Sequence, residues 1–239
     1  MTDPLPSWND GATKRAIVDF VNRTIAEGGP DYVRVADRVA LFDNDGTLWV
    51  EQPMYTQLKF VLDDVKKLAP QHPEWRQQEP FKAVLANDRE KMAKFSEADW
   101  ELIVAATHAG MSTEVFLEIA KKWLATAKDP RFRRLYTELV YQPMLEVMDY
   151  LRRSGFKTYI VTGGGQEFVR VYSQRVYGVP PEQVVPMLDR ILWRPNAERT
   201  LHAAEIATDV QVRRGHRYFI DEFLDHIGAP MGAKFGDGP

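Results

Sequence analysis

Two aspartates stand one residue apart, Asp43 and Asp45, inside the run Phe42-Asp-Asn-Asp-Gly-Thr-Leu-Trp49. Carboxylates at this spacing can hold a hard cation through oxygen ligands. One can also attack as a nucleophile while the other moves protons. The apolar run Arg38-Val-Ala-Leu-Phe42 leads into them and reads as a short buried strand. A calcium loop would place acids at its first, third and fifth positions, Gly at the sixth and Glu at the twelfth. Here Gly46 is the fourth residue and Met54 the twelfth, and a strand leads in, so the calcium reading fails. The competing reading is a solvated turn, since Asp, Asn and Gly all favour turns.

A second cluster, Thr162-Gly-Gly-Gly165, follows the apolar run Phe156-Lys-Thr-Tyr-Ile-Val161. A helix is expected from about 166 to 177, ended by Gly178. Main-chain N–H groups and the positive end of a helix dipole make such a turn an anion site. A dinucleotide fingerprint would need a third glycine where Phe168 stands. On its own, a triple glycine is more often a flexible turn.

The elements that must position these clusters alternate. An amphipathic helix is expected over 12–27, stopped by Gly28-Gly29-Pro30, before the first strand. From about 54 to 138 the chain turns rich in Lys, Glu, Ala and Leu, with helical spacing at 55–68, 80–94, 97–107, 112–127 and 131–139. A helix over 144–153, capped by Gly155, then leads to the second strand. The fold class expected is α/β: a Rossmann-like parallel sheet core with an all-α insertion after the first core strand, and ligands outside the strands' carboxyl ends. The domains expected are 1–50 with 140–239 as the core, and 51–139 as the helical insertion.

The whole chain sets wider bounds. With 239 residues, 44% hydrophobic and 27% charged, it is an ordinary globular sequence. A net charge of −3 gives no footprint for nucleic acid or an anionic membrane. The absence of cysteine excludes disulfides, thiol nucleophiles and Cys-based metal sites. The start shows no apolar signal region, and no stretch reaches the ~18 apolar residues that span a bilayer. The expectation is a soluble, cytoplasmic protein; nothing in the sequence bears on its oligomeric state.

The strand followed by Asp-x-Asp-Gly-Thr resembles the first motif of the haloacid dehalogenase superfamily. Asp3-Pro-Leu-Pro-Ser-Trp8, Phe42 to Trp49, Glu51-Gln-Pro-Met-Tyr55, Ala105-Ala-Thr-His-Ala-Gly110, Tyr141-Gln-Pro-Met144 and Thr162 to Gly165 are similar to a phosphoserine phosphatase-like bacterial subgroup. The resemblance covers residues 3 to about 185. It implies Mg²⁺-dependent hydrolysis of a small phosphomonoester through an aspartyl-phosphate. Asp43 would be the nucleophile and Asp45 the general acid/base. Thr162, Gly163 and Gly164 would cradle the phosphate, and Mg²⁺ would sit on Asp43 and the main-chain carbonyl of Asp45. Dehalogenases of the superfamily lack the second Asp, so Asp45 favours phosphoryl transfer. The helical insertion resembles the superfamily's cap, which selects the substrate. Trp75, Trp100 and Trp123 lie in it, either as core residues or as a cage for a quaternary ammonium. His108 either lines the cleft or is an ordinary satisfied histidine.

After about Val185 the resemblance ends, and the subgroup's late Gly-Asn-Ser-Asp-Gly-Asp run is absent. Two segments can stand in for it. Tyr218-Phe-Ile220 leads to Asp221, Glu222 and Asp225, with Arg213, Arg214 and Arg217 as nearby cations; Asp221 is the third expected metal ligand. The other is Lys234-Phe-Gly-Asp237. Residues 221–225 read equally as a solvated helix face. The alternative function is a catalytically impaired phosphate- and metal-binding remnant with a truncated or frame-shifted C-terminal region.

Overall fold

The computed structural model describes residues 2–108, 110–186 and 234–235. In chain order its elements are α1 (Ala12–Ile25), β1 (Val39–Phe42), α2 (Thr56–Leu68), α3 (Phe81–Leu85), α4 (Arg89–Met92), α5 (Glu97–His108), α6 (Thr113–Leu124), α7 (Gln142–Arg153), β2 (Lys157–Thr162), α8 (Gln166–Tyr177), β3 (Val184–Pro186) and β4 (Lys234–Phe235). The chain divides into two compact units, Met1–Val50 with Leu139–Pro239, and Glu51–Glu138.

The first unit is a mixed α/β, Rossmann-like core. Its sheet is parallel with strand order β3-β2-β1-β4. Val39 is registered with Lys157 and Phe42 with Ile160, so β1 and β2 end at the same sheet edge. All four residues of β1 are buried, as a strand enclosed on both faces of a parallel sheet requires. Helices α7 and α8 pack on β2 and β3, and Val147, Met148, Leu151, Phe168, Val169 and Tyr172 supply the apolar faces. Gly155 ends α7 with φ +85°, and a Cβ there would meet the Arg38 guanidinium at 3.2 Å. That guanidinium donates to the carbonyls of Val33 and Ser154 at 2.9 and 2.8 Å, pinning the start of β1 to the end of α7. The segment preceding α1 is tied to α7 as well: the Trp8 indole donates to the Pro143 carbonyl at 2.9 Å.

The two ends of chain that border the second unit are joined within the first. Trp49 and Val140 form an antiparallel bridge. The Val50 N–H donates to Leu139 O at 3.1 Å and the Tyr141 N–H to Leu48 O at 2.9 Å.

The second unit is built from α2 to α6 and short 3₁₀ turns. Phe60, Val61, Val65, Trp75, Phe81, Val84, Ile103 and Leu124 are among its buried apolar residues. Two expectations fail here. The helix expected over 80–94 is broken into α3 and α4, because Asn87 adopts φ +54° and Asp88 starts a new helix by accepting from the Lys91 N–H. The helix expected over 131–139 is a turn: Oδ1 of buried Asp129 accepts from the N–H groups of Arg131 and Phe132 at 2.9 and 2.8 Å. Arg133 then takes φ +56° and Lys128 bridges to Leu135. No single described helix is long and apolar enough to cross a membrane.

Candidate active site

Asp43 is the first residue beyond β1, and Thr162 is the last of β2. Parallel pairing brings both to one edge of the sheet, where α8 begins at Gln166 after the three glycines that follow Thr162. Asp43, Asp45, Thr162, Gly163 and Gly164 therefore converge on the carboxyl ends of two adjacent strands, where open α/β sheets bind ligands.

The aspartate loop folds around Asn44. The Asp43 carboxylate accepts from the Asn44 N–H at 2.7 Å. The Asn44 carbonyl receives the N–H groups of Thr47, Leu48 and Trp49 at 3.3, 2.8 and 3.3 Å. Gly46 closes the loop with φ +75°, a conformation that disfavours a Cβ by roughly 1–2 kcal/mol, and its N–H donates to Trp49 O at 2.9 Å. Asp43 and Asp45 remain partly exposed while Asn44 between them is buried. The turn is thus not merely solvated.

Beneath the loop lies an aromatic and amide network. The Asn44 carboxamide donates to the Tyr172 hydroxyl and accepts from the Tyr177 hydroxyl, both at 3.2 Å. Trp49 stacks on Tyr172 with ring centroids 4.6 Å apart, and its indole N–H donates to Oδ1 of Asp45 at 2.7 Å. Burial, then the charges of neighbouring groups including Asp45, holds both tyrosines well above the ordinary phenol range. They stay neutral hydrogen-bonding groups. Trp49, Tyr172 and Tyr177 were not legible as site residues, because their type and spacing match those of core residues.

At the second cluster, buried Thr162 accepts the Gly164 N–H on its Oγ1 at 3.1 Å. This closes the glycine turn, and an anion taking that N–H would displace the hydroxyl. Gly163, Gly164 and Gly165 are exposed, and no atom lies within 4 Å of a Cβ built on Gly163. Gly165 caps α8 without a side-chain bond, so the positive end of that helix faces the turn.

The donor set suits a hard cation: carboxylate and carbonyl oxygens from Asp43 and Asp45, in a chain without cysteine thiolates. Among the described residues no group of three acids or histidines is assembled. Asp221, Asp225, Asp237, Arg213, Arg214 and Arg217 lie outside the described residues.

In the helical unit the three tryptophans go to different partners. Trp75 is buried between His72 and Phe81, at centroid distances of 4.3 and 4.4 Å. Trp100 meets Phe95 edge-on. Trp123 stacks on Tyr136 and donates to Asp63 at 3.1 Å. They do not form a shared cage. His108 packs against Phe60 and Phe116. Its Nε2 lies 3.6 Å from Oδ2 of buried Asp64, beyond hydrogen-bond length.

The fold and this site define an α/β protein with paired aspartates after the first strand of a parallel sheet. The family model of haloacid dehalogenase-like hydrolases matches residues 40–185, more than half of the chain. The chain belongs to that family. No curated protein matches the sequence.

Proposed function

We propose that this hydrolase cleaves small phosphomonoesters through a phosphorylated Asp43. The reading is carried by one observation: two aspartates leave β1 at the sheet edge where Thr162 and the glycine turn open α8. An Asp43 oxygen attacks phosphorus, and the bond to the leaving oxygen breaks as Asp45 delivers a proton to it. Water then attacks the phosphorus of the aspartyl-phosphate while Asp45 takes a water proton. The Asp43–phosphorus link breaks and inorganic phosphate leaves. The amides of the glycine turn and the Thr162 hydroxyl orient the phosphoryl oxygens, a role in which fixed dipoles contribute most of the rate.

Mg²⁺ would be held by the Asp43 carboxylate, the Asp45 main-chain carbonyl and a later acid, and when bound it neutralises charge on the phosphoryl oxygens. Of the two later segments, 234–237 contains β4, which pairs with β1 in the register Leu41 to Lys234. That pairing supports Asp237 over Asp221 as the later acid. Asp237→Asn is then expected to raise the Mg²⁺ concentration needed for half-maximal turnover about tenfold or more, and Asp221→Asn to leave it within about twofold. The reverse order in a Mg²⁺ titration of both variants would restore Asp221.

The helical unit acts as the substrate-selecting cap, and the partner is a small phosphorylated molecule in the cytoplasm rather than nucleic acid or membrane. The assay is turnover of an aryl phosphate with Mg²⁺ and then with EDTA. Activity is expected only with metal, and Asp43→Asn is expected to lower it by on the order of 10³-fold or more with unchanged circular dichroism. Activity retained in that variant would refute the reading. The family match ends at residue 185, and this favours a second reading, an impaired phosphate- and metal-binding remnant; Mg²⁺ binding without turnover would select it.

A further inference from the structure

We propose that Trp49 is a positioning residue for proton transfer by Asp45. The inference rests on the phosphomonoesterase reading above and adds a residue to it. The Trp49 side chain is 1% exposed, so burying its indole N–H demands a partner. That partner is Oδ1 of Asp45, at 2.7 Å, four residues back in the same loop. The ring cannot turn away, because it stacks on Tyr172 at 4.6 Å. Tyr172 is itself held through Asn44 by the network that includes Tyr177. The main chain of Trp49 is fixed as well, by its bridges to Asp45 and to Val140.

A carboxylate moving protons in a phosphoryl transfer must present one oxygen at a fixed place, and free rotation about its χ angles would misplace it. The indole removes that freedom. The atoms balance as in the reaction above; Trp49 neither gains nor loses a proton.

The consequence is selective. An alkyl phosphate releases a strongly basic alkoxide, which needs the Asp45 proton, whereas a nitrophenyl phosphate releases a stable anion, which scarcely does. The experiment compares kcat/KM for these two esters, a parameter that reports the phosphoryl-transfer step. Trp49→Phe keeps an aromatic ring over Tyr172 and removes the donor. Its alkyl-to-aryl ratio of kcat/KM is expected to fall about tenfold relative to the unsubstituted protein. Should Trp49→Phe fail to fold, placing benzothienylalanine at residue 49 preserves shape and lacks only the N–H, and the same fall is expected. A parallel loss for both esters, or an unchanged ratio, would show a structural role alone and overturn the inference. Failure of the unsubstituted protein to hydrolyse either ester would instead overturn the phosphatase reading, and this inference with it.

Discussion

Asn44 sits between the two aspartates, is 1% exposed, and has both ends of its carboxamide bonded to tyrosines of α8. Its own carbonyl collects three main-chain N–H groups of the following turn. It does no chemistry in the proposed reaction, yet it sets where Asp43 and Asp45 point. Asn44→Ala leaves two buried phenols without this partner and is expected to destabilise the fold by about 1–3 kcal/mol, read from urea denaturation. Tyr177→Phe removes one bond and leaves an amide oxygen buried, so about 1 kcal/mol is expected from the same measurement. Gly46→Ala places a Cβ at φ +75°, and a loss of about 1–2 kcal/mol is expected, together with reduced turnover. A neutral effect on both readouts would contradict the need for glycine at this left-handed position. The place of Asp43 and Asp45 just beyond β1 could be read from the sequence because the apolar run Arg38 to Phe42 stops there. Asn44 could not, because Asn in a turn is ordinary and its burial depends on tyrosines more than 125 residues away.

Among the elements, β1, β2 and α8 were legible: short apolar runs ended at Asp43 and Thr162, and Gly178 closes α8 in the left-handed region at φ +68°. Their pairing followed from the α/β alternation, since parallel strands joined by helices place their carboxyl ends together. The segment 131–139 was misread because Phe132, Leu135, Tyr136 and Leu139 recur at helical spacing. Local hydrogen bonding from Asp129 to the following main-chain N–H groups competes with the helix and wins. The turn also bears on Tyr136. Burial first, then the charges of Asp129 and Asp63, pushes its phenol from 10.0 up to about 12. Unfolded tyrosine ionises near 10 while the folded one holds its proton, so stability is full below pH 10 and declines between pH 10 and about 12. Tyr136→Phe is expected to flatten that decline in urea denaturation across this window. An equal alkaline slope in both proteins would contradict the shift.

At the scale of the molecule, the first unit carries the proposed chemistry and the second carries none of the reacting groups named here. The family match and the sequence resemblance both end at 185, while β4 supplies a strand beside β1 from beyond that point. The bulk of the fold was readable because hydrophobic period and glycine punctuation agree with it. The substrate was not, because substrate selection depends on a three-dimensional pocket that spacing does not encode. The central claim is that Asp43 becomes covalently phosphorylated. Rapid acid quench during turnover of a phosphomonoester, followed by peptide mass spectrometry, tests it most directly. The account predicts a hydroxylamine-labile phosphoryl group on Asp43, absent in Asp43→Asn; turnover with no phosphoryl adduct, or an adduct on another residue, would contradict it.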